Sequence, residues 1–420
     1  MITTLIIPVL AAVLAQPEPD PALAPPEPMR RVLVDRTLAE RPVQLLAIDA
    51  GAVRVVDAQG RSQAVPRAEV LAILPDLPPL DAPVLPEPRR RTTTAGNDPR
   101  QPAAPSTPLG RLELTDGQVL PGSFGASTPR SKDSVVWASR LWGNIDIPLD
   151  HVAAIITNPE RFDALMAGVK GTQDTVLLRN GDRVEGFLES VTPALVRIEK
   201  GGKVSDLPGD RIDGIMLANP VKPGGGAWAW VSGAASAISD ITLTDTGSCT
   251  IAARLPGVTS QPTATITGDV VEGVCFDAAK LRPLAGVQMT AADAANDTRR
   301  WSQPPIIGPS TVPLGAADIE LPGPMRVEWT LPRGVARIAT TIEMPPSARL
   351  WGDCEVIVEV IGANGSGTQL ARAQLNQSSP SMSVNAPLTN AAKLRVTVDQ
   401  GPSGPIQDRV VLRRGLLLVQ

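Results

Sequence analysis

One histidine, three cysteines and scattered carboxylates are all that this 420-residue chain offers for covalent or acid–base chemistry. Nucleophilic catalysis by serine or cysteine needs a base held within hydrogen-bonding reach. His151 has no such partner in a recognisable pattern, and it stands where a related segment carries Arg211. It reads as a rim residue. No HExxH or paired-cysteine pattern occurs, so neither a metal centre nor any other cofactor is expected. Glycoside hydrolysis would need two carboxylates facing each other across a sugar, and nothing in the spacing of Asp and Glu places two in one cleft. Gly224-Gly225-Gly226 follows a proline and precedes Ala-Trp-Ala-Trp, which suits a hinge better than a phosphate loop. The chain reads as non-enzymatic. Cys249 and Cys275 fall in one small β unit and could form a disulfide if the protein is exported; buried free thiols are the alternative.

The elements that must position any site are short strands. Leu177–Leu217 is the clearest stretch, with Asn180–Gly181 as a hairpin turn between apolar runs. LELTDGQVLPGSF, from Leu112, repeats LLRNGDRVEGFL, and the turn glycine recurs at a spacing of roughly 60 residues. The closings AVPRAEVLAI, DIPLDHVAAI and DLPGDRIDGI share an apolar residue, a proline and a final apolar strand. Three copies are therefore expected at 30–75, 110–158 and 174–219, with a degenerate fourth at 238–284 that lacks the proline. A Pro-rich linker with Arg89-Arg90-Arg91 fills 76–109, a helical linker 159–173 and a Gly-rich hinge 220–237. From 285 to 420 the strands lengthen, with turns at Gly334, Asn364–Gly367 and Gln400–Gly401, as in a β-sandwich.

Residues 1–15, MITTLIIPVLAAVLA, are apolar and too short to span a bilayer comfortably. They read as an export signal ahead of a disordered, Pro-rich tether at 16–29, with an ordinary buried strand as the alternative. Export implies a periplasmic, cell-surface or secreted protein with no membrane span after cleavage. The net charge of −4 gives no electrostatic reason to expect nucleic acid.

On these motifs the repeats resemble small Sm-like or SH3-like β-barrels. The last third resembles the NPCBM/NEW2 family of carbohydrate-binding modules. LRPLAGVQM, VEWTLPRGVARIATTIEM and LRVTVDQGPSGPIQDRVVLRRGLLL carry that resemblance, the last through Asp399, Gly401, Gly404 and Asp408. It implies a jelly-roll-like sandwich and a glycan or envelope protein as partner. The family's histidine turn before Arg326 and its aromatic after the closing Asp are both missing here. A sugar face needs a flat aromatic ring and a few polar groups. Trp301 and Trp351 are the candidate platforms, with Asp399 and Asp408 as candidate carbohydrate-binding carboxylates, although both fit better as props of the closing loop. Trp329, flanked by Glu328 and Thr330 mid-strand, reads as core. The expectation is an all-β chain of three or four small barrels ending in a sandwich, with a binding or envelope-scaffold role. The alternatives are an Sm-like nucleic-acid binder and an accessory part of a glycan-degrading system.

Overall fold

A computed structural model describes residues 29–78, 80, 109–126, 129–166, 171–222, 224–292, 303–309, 312–402, 404 and 407–420. The expected signal, nearly all of the tether and most of the Pro-rich linker lie outside them. The described chain is almost entirely β, as the turn punctuation predicts.

Four units share one plan. The first holds β1 (Met29–Asp35), β2 (Glu40–Ile48), β3 (Ala52–Val56), β4 (Ser62–Pro66) and β5 (Val70–Pro75). The second holds β6 (Gly110–Leu114), β7 (Val119–Phe124), β8 (Ser134–Ser139), β9 (Gly143–Pro148) and β10 (Val152–Ile156). The third holds β11 (Asp174–Leu178), β12 (Arg183–Val191), β13 (Leu195–Lys200), β14 (Lys203–Pro208) and β15 (Ile212–Met216). The fourth holds β16 (Ala227–Val231), β17 (Ala234–Leu243), β18 (Ser248–Ala253), β19 (Thr263–Thr267) and β20 (Val271–Cys275). In each, four strands pair in sequence order and the fifth returns to pair with the first.

The recurring residues have local causes. Gly117 and Gly181 sit at φ 94° and 92°, the left-handed backbone that the first hairpin requires. The first unit has no glycine there. Its Leu38 takes φ 57°, and the Asp35 carboxylate braces the turn by accepting the N–H groups of Thr37 at 2.8 Å and Ala39 at 3.0 Å. Gly122 and Gly186 serve close approach, because a Cβ there would strike the carbonyls of Ala138 and Glu199 on the neighbouring strand. The shared closing prolines, Pro66, Pro148 and Pro208, lead with φ of −53°, −60° and −60° into one 3₁₀ turn before the fifth strand. In the fourth unit Thr267 takes that place at φ −78°, so the missing proline costs the turn nothing in geometry.

The fourth unit corrects the expected boundaries. Its first strand, AWAWV, lies inside the stretch read as a hinge at 220–237. Ala229 and Val231 face the core of the unit while Trp228 and Trp230 enter a second cluster on the other side. With both faces buried, the strand shows no polar alternation and leaves no strand signal.

The units associate in nested pairs through their closing strands. β10 pairs antiparallel with β15, Ile155 opposite Ile215, and β5 pairs with β20, Ile73 opposite Val274. These four residues hold the same place in the closing motif, so both pairs use one register. Between the second and third units, α1 (Pro159–Met166) buries Phe162 and Met166 on the closing strands, in the stretch expected to be helical.

The remainder is a two-sheet sandwich. It contains β21 (Leu281–Pro283), β22 (Met289–Ala292), β23 (Ile306–Ile307), β24 (Ile319–Pro322), β25 (Met325–Thr330) and β26 (Val335–Glu343). β27 (Cys354–Gly362), β28 (Gly367–Leu375), β29 (Ser381–Pro387), β30 (Ala391–Gln400) and β31 (Arg409–Val419) complete it. One sheet runs β23-β24-β31-β26-β29 with β21 against β31, and the other runs β22-β25-β30-β27-β28. Trp329 is fully buried between them, as its mid-strand position predicts.

The sandwich is docked on the first and fourth units. Leu416, Ala339 and Leu281 share an apolar cluster with Val34, Leu71 and Trp230. Arg413 and Arg414 are buried beside it, where a bulge in β31 and φ 44° at Arg414 re-aim both side chains. Arg413 donates to Pro78 O at 2.7 Å, and Arg414 to Pro75 O.

The Cys249–Cys275 disulfide is not formed. Cys249 points into the core of the units and Cys275 into the cluster beneath the sandwich, on strands that do not pair. Burial pushes the thiol of Cys249 up to about 11 and those of Cys275 and Cys354 to about 12. A thiol reagent at pH 8 should therefore label none of them in the native protein and all three in guanidinium without reductant. One equivalent in guanidinium would instead reveal the disulfide.

Candidate functional site

Among the described residues, the exposed tryptophan of the sandwich lies at one end, on the loop between β26 and β27. Trp351 is 63% exposed and its neighbour Leu350 is 65% exposed. Exposure of two adjacent large apolar side chains gains nothing for folding.

The loop beneath them is held tightly. The N–H of Gly352 donates to Ala348 O at 2.7 Å and that of Trp351 to the same carbonyl at 3.3 Å. The Arg349 guanidinium donates to Met344 O at 3.0 Å and to Glu343 at 2.7 Å. Arg409 reaches the Ser347 hydroxyl at 3.3 Å and Glu320 at 3.3 Å. The closing loop after β30 packs underneath, since a Cβ at Gly401 would collide with Asp353 O. Trp351 is thus presented by a fixed backbone rather than a free loop tip.

The acidic residues of the closing motif take different positions. Asp408 is buried, and its Oδ1 accepts the Asp353 N–H at 3.4 Å. It holds the Trp351 loop from below and cannot face a ligand, which corrects its reading as a binding residue. Asp399 is half-buried at the end of β30, opposite Glu355, with Oδ1 accepting the Gln400 N–H at 2.8 Å. Asp353 was not singled out in the sequence. It lies two residues from Trp351 and accepts a hydrogen bond from the exposed Gln374 side chain, which brings an acceptor and an amide to the end of the Trp351 loop. Trp301 lies outside the described residues.

The outer face of the second sheet is charged but self-satisfied. Glu328 accepts from Lys393 at 2.9 Å and Arg395 at 2.8 Å, and these bonds hold its carboxyl below the usual carboxylate range. Glu355 and Arg372 pair at 2.7 Å. Little free charge remains there for a ligand. His151 lies in the 3₁₀ turn of the second unit, 3.9 Å from Asp150, and packs near Gly257. Among the described residues no cluster of His, Cys, Asp and Glu could hold a metal, and no helix is long and apolar enough to cross a membrane.

Together, fold and site describe an all-β chain in which four like units support a two-sheet sandwich with an aromatic end. No protein-family profile and no curated protein matches the chain. Solved structures with partial likeness include the CBM51-2 and INT domains of Clostridium perfringens ZmpB, at 13% identity and a TM-score of 0.27. That likeness covers 43% of this chain and 38% of the other. The family 32 CBM of C. perfringens NanJ, in complex with galactose, is 15% identical over 33% of this chain and 98% of its own, with a TM-score of 0.22. The CBM22-1 xylan-binding domain of Paenibacillus barcinonensis Xyn10C is 12% identical over 33% and 93%, with a TM-score of 0.21. Likenesses of this degree assign no ligand to the chain.

Proposed function

We propose that this is an exported, non-catalytic protein whose sandwich end binds a glycan, with the four units as its scaffold. The observation that carries the reading is Trp351, exposed on a loop whose backbone is tied down on both sides. A pyranose presents a C–H face that stacks on such a ring, and its hydroxyls need neighbouring polar groups. Asp353 at the end of the loop, the Gln374 amide bonded to it, and Asp399 opposite Glu355 are the candidate polar groups. The resemblance of the closing motif to NPCBM/NEW2 modules favours the same end of the sandwich. Export rests on the apolar segment at 1–15, and the non-catalytic reading on residue types and spacing that offer no recognisable acid–base or nucleophilic pair.

The test is a glycan array followed by polysaccharide pull-down with the full chain and a Trp351→Ala variant. Retention on at least one glycan is expected, with about tenfold weaker binding in the variant, or about 1.4 kcal/mol. Thermal stability should hold within about 0.5 kcal/mol, because the ring is exposed. Failure to retain any glycan, or retention unaffected by the substitution, rejects the site.

A further inference from the structure

We propose that the groove between the second and third units docks an extended, arginine- or lysine-rich segment of a partner protein. The groove is open, has a volume of about 860 Å³, and takes one wall from each unit. It lies far along the chain from Trp351 and shares no residue with that loop.

The first observation is an apolar residue out of place. Phe187 on β12 is 67% exposed and lines the groove. Strand register gives its counterparts in two other units: Gln44 on β2 and Ser123 on β7. Both are polar. The fold therefore keeps this outward position polar elsewhere, and an exposed ring here is no requirement of the repeat. An exposed ring in a groove is a platform for a guanidinium or for the methylene stem of a basic side chain.

The second observation is charge. Asp133 and Asp150 line it from the second unit and Asp174 and Glu199 from the third, and Lys200 is the only lysine or arginine among the described lining residues. Asp174 accepts the N–H groups of Leu188 and Ala218, both at 2.8 Å, so it fixes the wall. Glu199 accepts the Gly202 N–H in the same way. Asp133 and Asp150 are exposed and free to meet a cation; His151 lies 3.9 Å from Asp150. Carboxylates spread over two walls suit several cations in a row rather than one compact ligand, which favours a basic polypeptide strand.

The experiment is fluorescence anisotropy of the full chain with a fluorescein-labelled ten-residue peptide of alternating Arg and Leu, against a Glu/Leu counterpart. Saturable binding of the basic peptide alone is expected. Phe187→Ser, which installs the residue of the second unit, should weaken it about tenfold. Asp133→Asn with Asp150→Asn should weaken it and flatten its salt dependence. Trp351→Ala should leave it unchanged, and Phe187→Ser should leave glycan retention unchanged, so the two sites fail separately. Equal binding of both peptides, or indifference to Phe187→Ser, overturns the proposal. So does a concentration-dependent dimer that Phe187→Ser makes monomeric, because a second copy would then be the occupant.

Discussion

Replacing Arg413 by methionine is expected to destabilise the chain by about 3–5 kcal/mol and to loosen the first unit from the sandwich. The guanidinium is 5% exposed and meets Asp318 at 2.8 Å, Glu343 at 3.1 Å and Pro78 O at 2.7 Å. Methionine fills much of the volume but donates nothing, so the cost comes from two partly buried carboxylates and a carbonyl left without their donor. They are not left equally. Glu343 keeps the Arg349 guanidinium at 2.7 Å, whereas the Asp318 carboxylate keeps the backbone N–H of Arg414 at 3.2 Å. Asp318→Asn in the methionine background should therefore restore more stability than Glu343→Gln, which a double-mutant cycle by urea unfolding measures. Equal rescue, or a loss below about 1 kcal/mol, would mean that the buried cation is not what the acids require. Hydrogen exchange should show the loosening locally, because Pro78 O loses its donor and the segment after β5 is tied to the sandwich there.

The parts of this fold that were legible from the residues are those where one face meets water. Val196, Ile198 and their exposed neighbours alternate, and the strand was plain. The closing Pro and the turn glycines have single local causes, so they recur visibly. Segments shaped by tertiary contact were not legible. AWAWV is covered on both sides and passed for a hinge. Nothing in the residues around Arg413-Arg414 marks them as buried, yet a bulge places both under the first unit. Of the candidate site, Trp351 was visible because an aromatic between Arg349 and Gly352-Asp353 suits a loop. A propping role for Asp408 was legible, but its contact with the Asp353 N–H of the Trp351 loop was not, because no spacing in the chain encodes which loop folds over it.

Ile155→Ala is expected to cost about 2–5 kcal/mol and to unprotect two units together. Ile155 is fully buried in β10, with Leu112 of its own unit on one side and Ile215 of the next on the other. The closing strand is thus an interior strand of a joint sheet, not an edge. Removing its side chain weakens the core of the second unit and the seam at once. Ile215→Ala should give a similar loss, because the two residues face each other at the centre of the shared register. Native-state hydrogen exchange distinguishes the possibilities. Protection should fall in both β6 and β11 for either variant, while β1, β16 and the sandwich sheets keep theirs. Ile73→Ala, at the same place in the other pair, should show the reverse, with losses in β1 and β16 that reach the sandwich, since β5 also carries Leu71 and Leu74 into the cluster beneath it. If Ile155→Ala unprotects β6 alone, the units fold one by one and the seam contributes little. Loss on both sides makes the pair, rather than the single unit, the smallest cooperative piece of this chain.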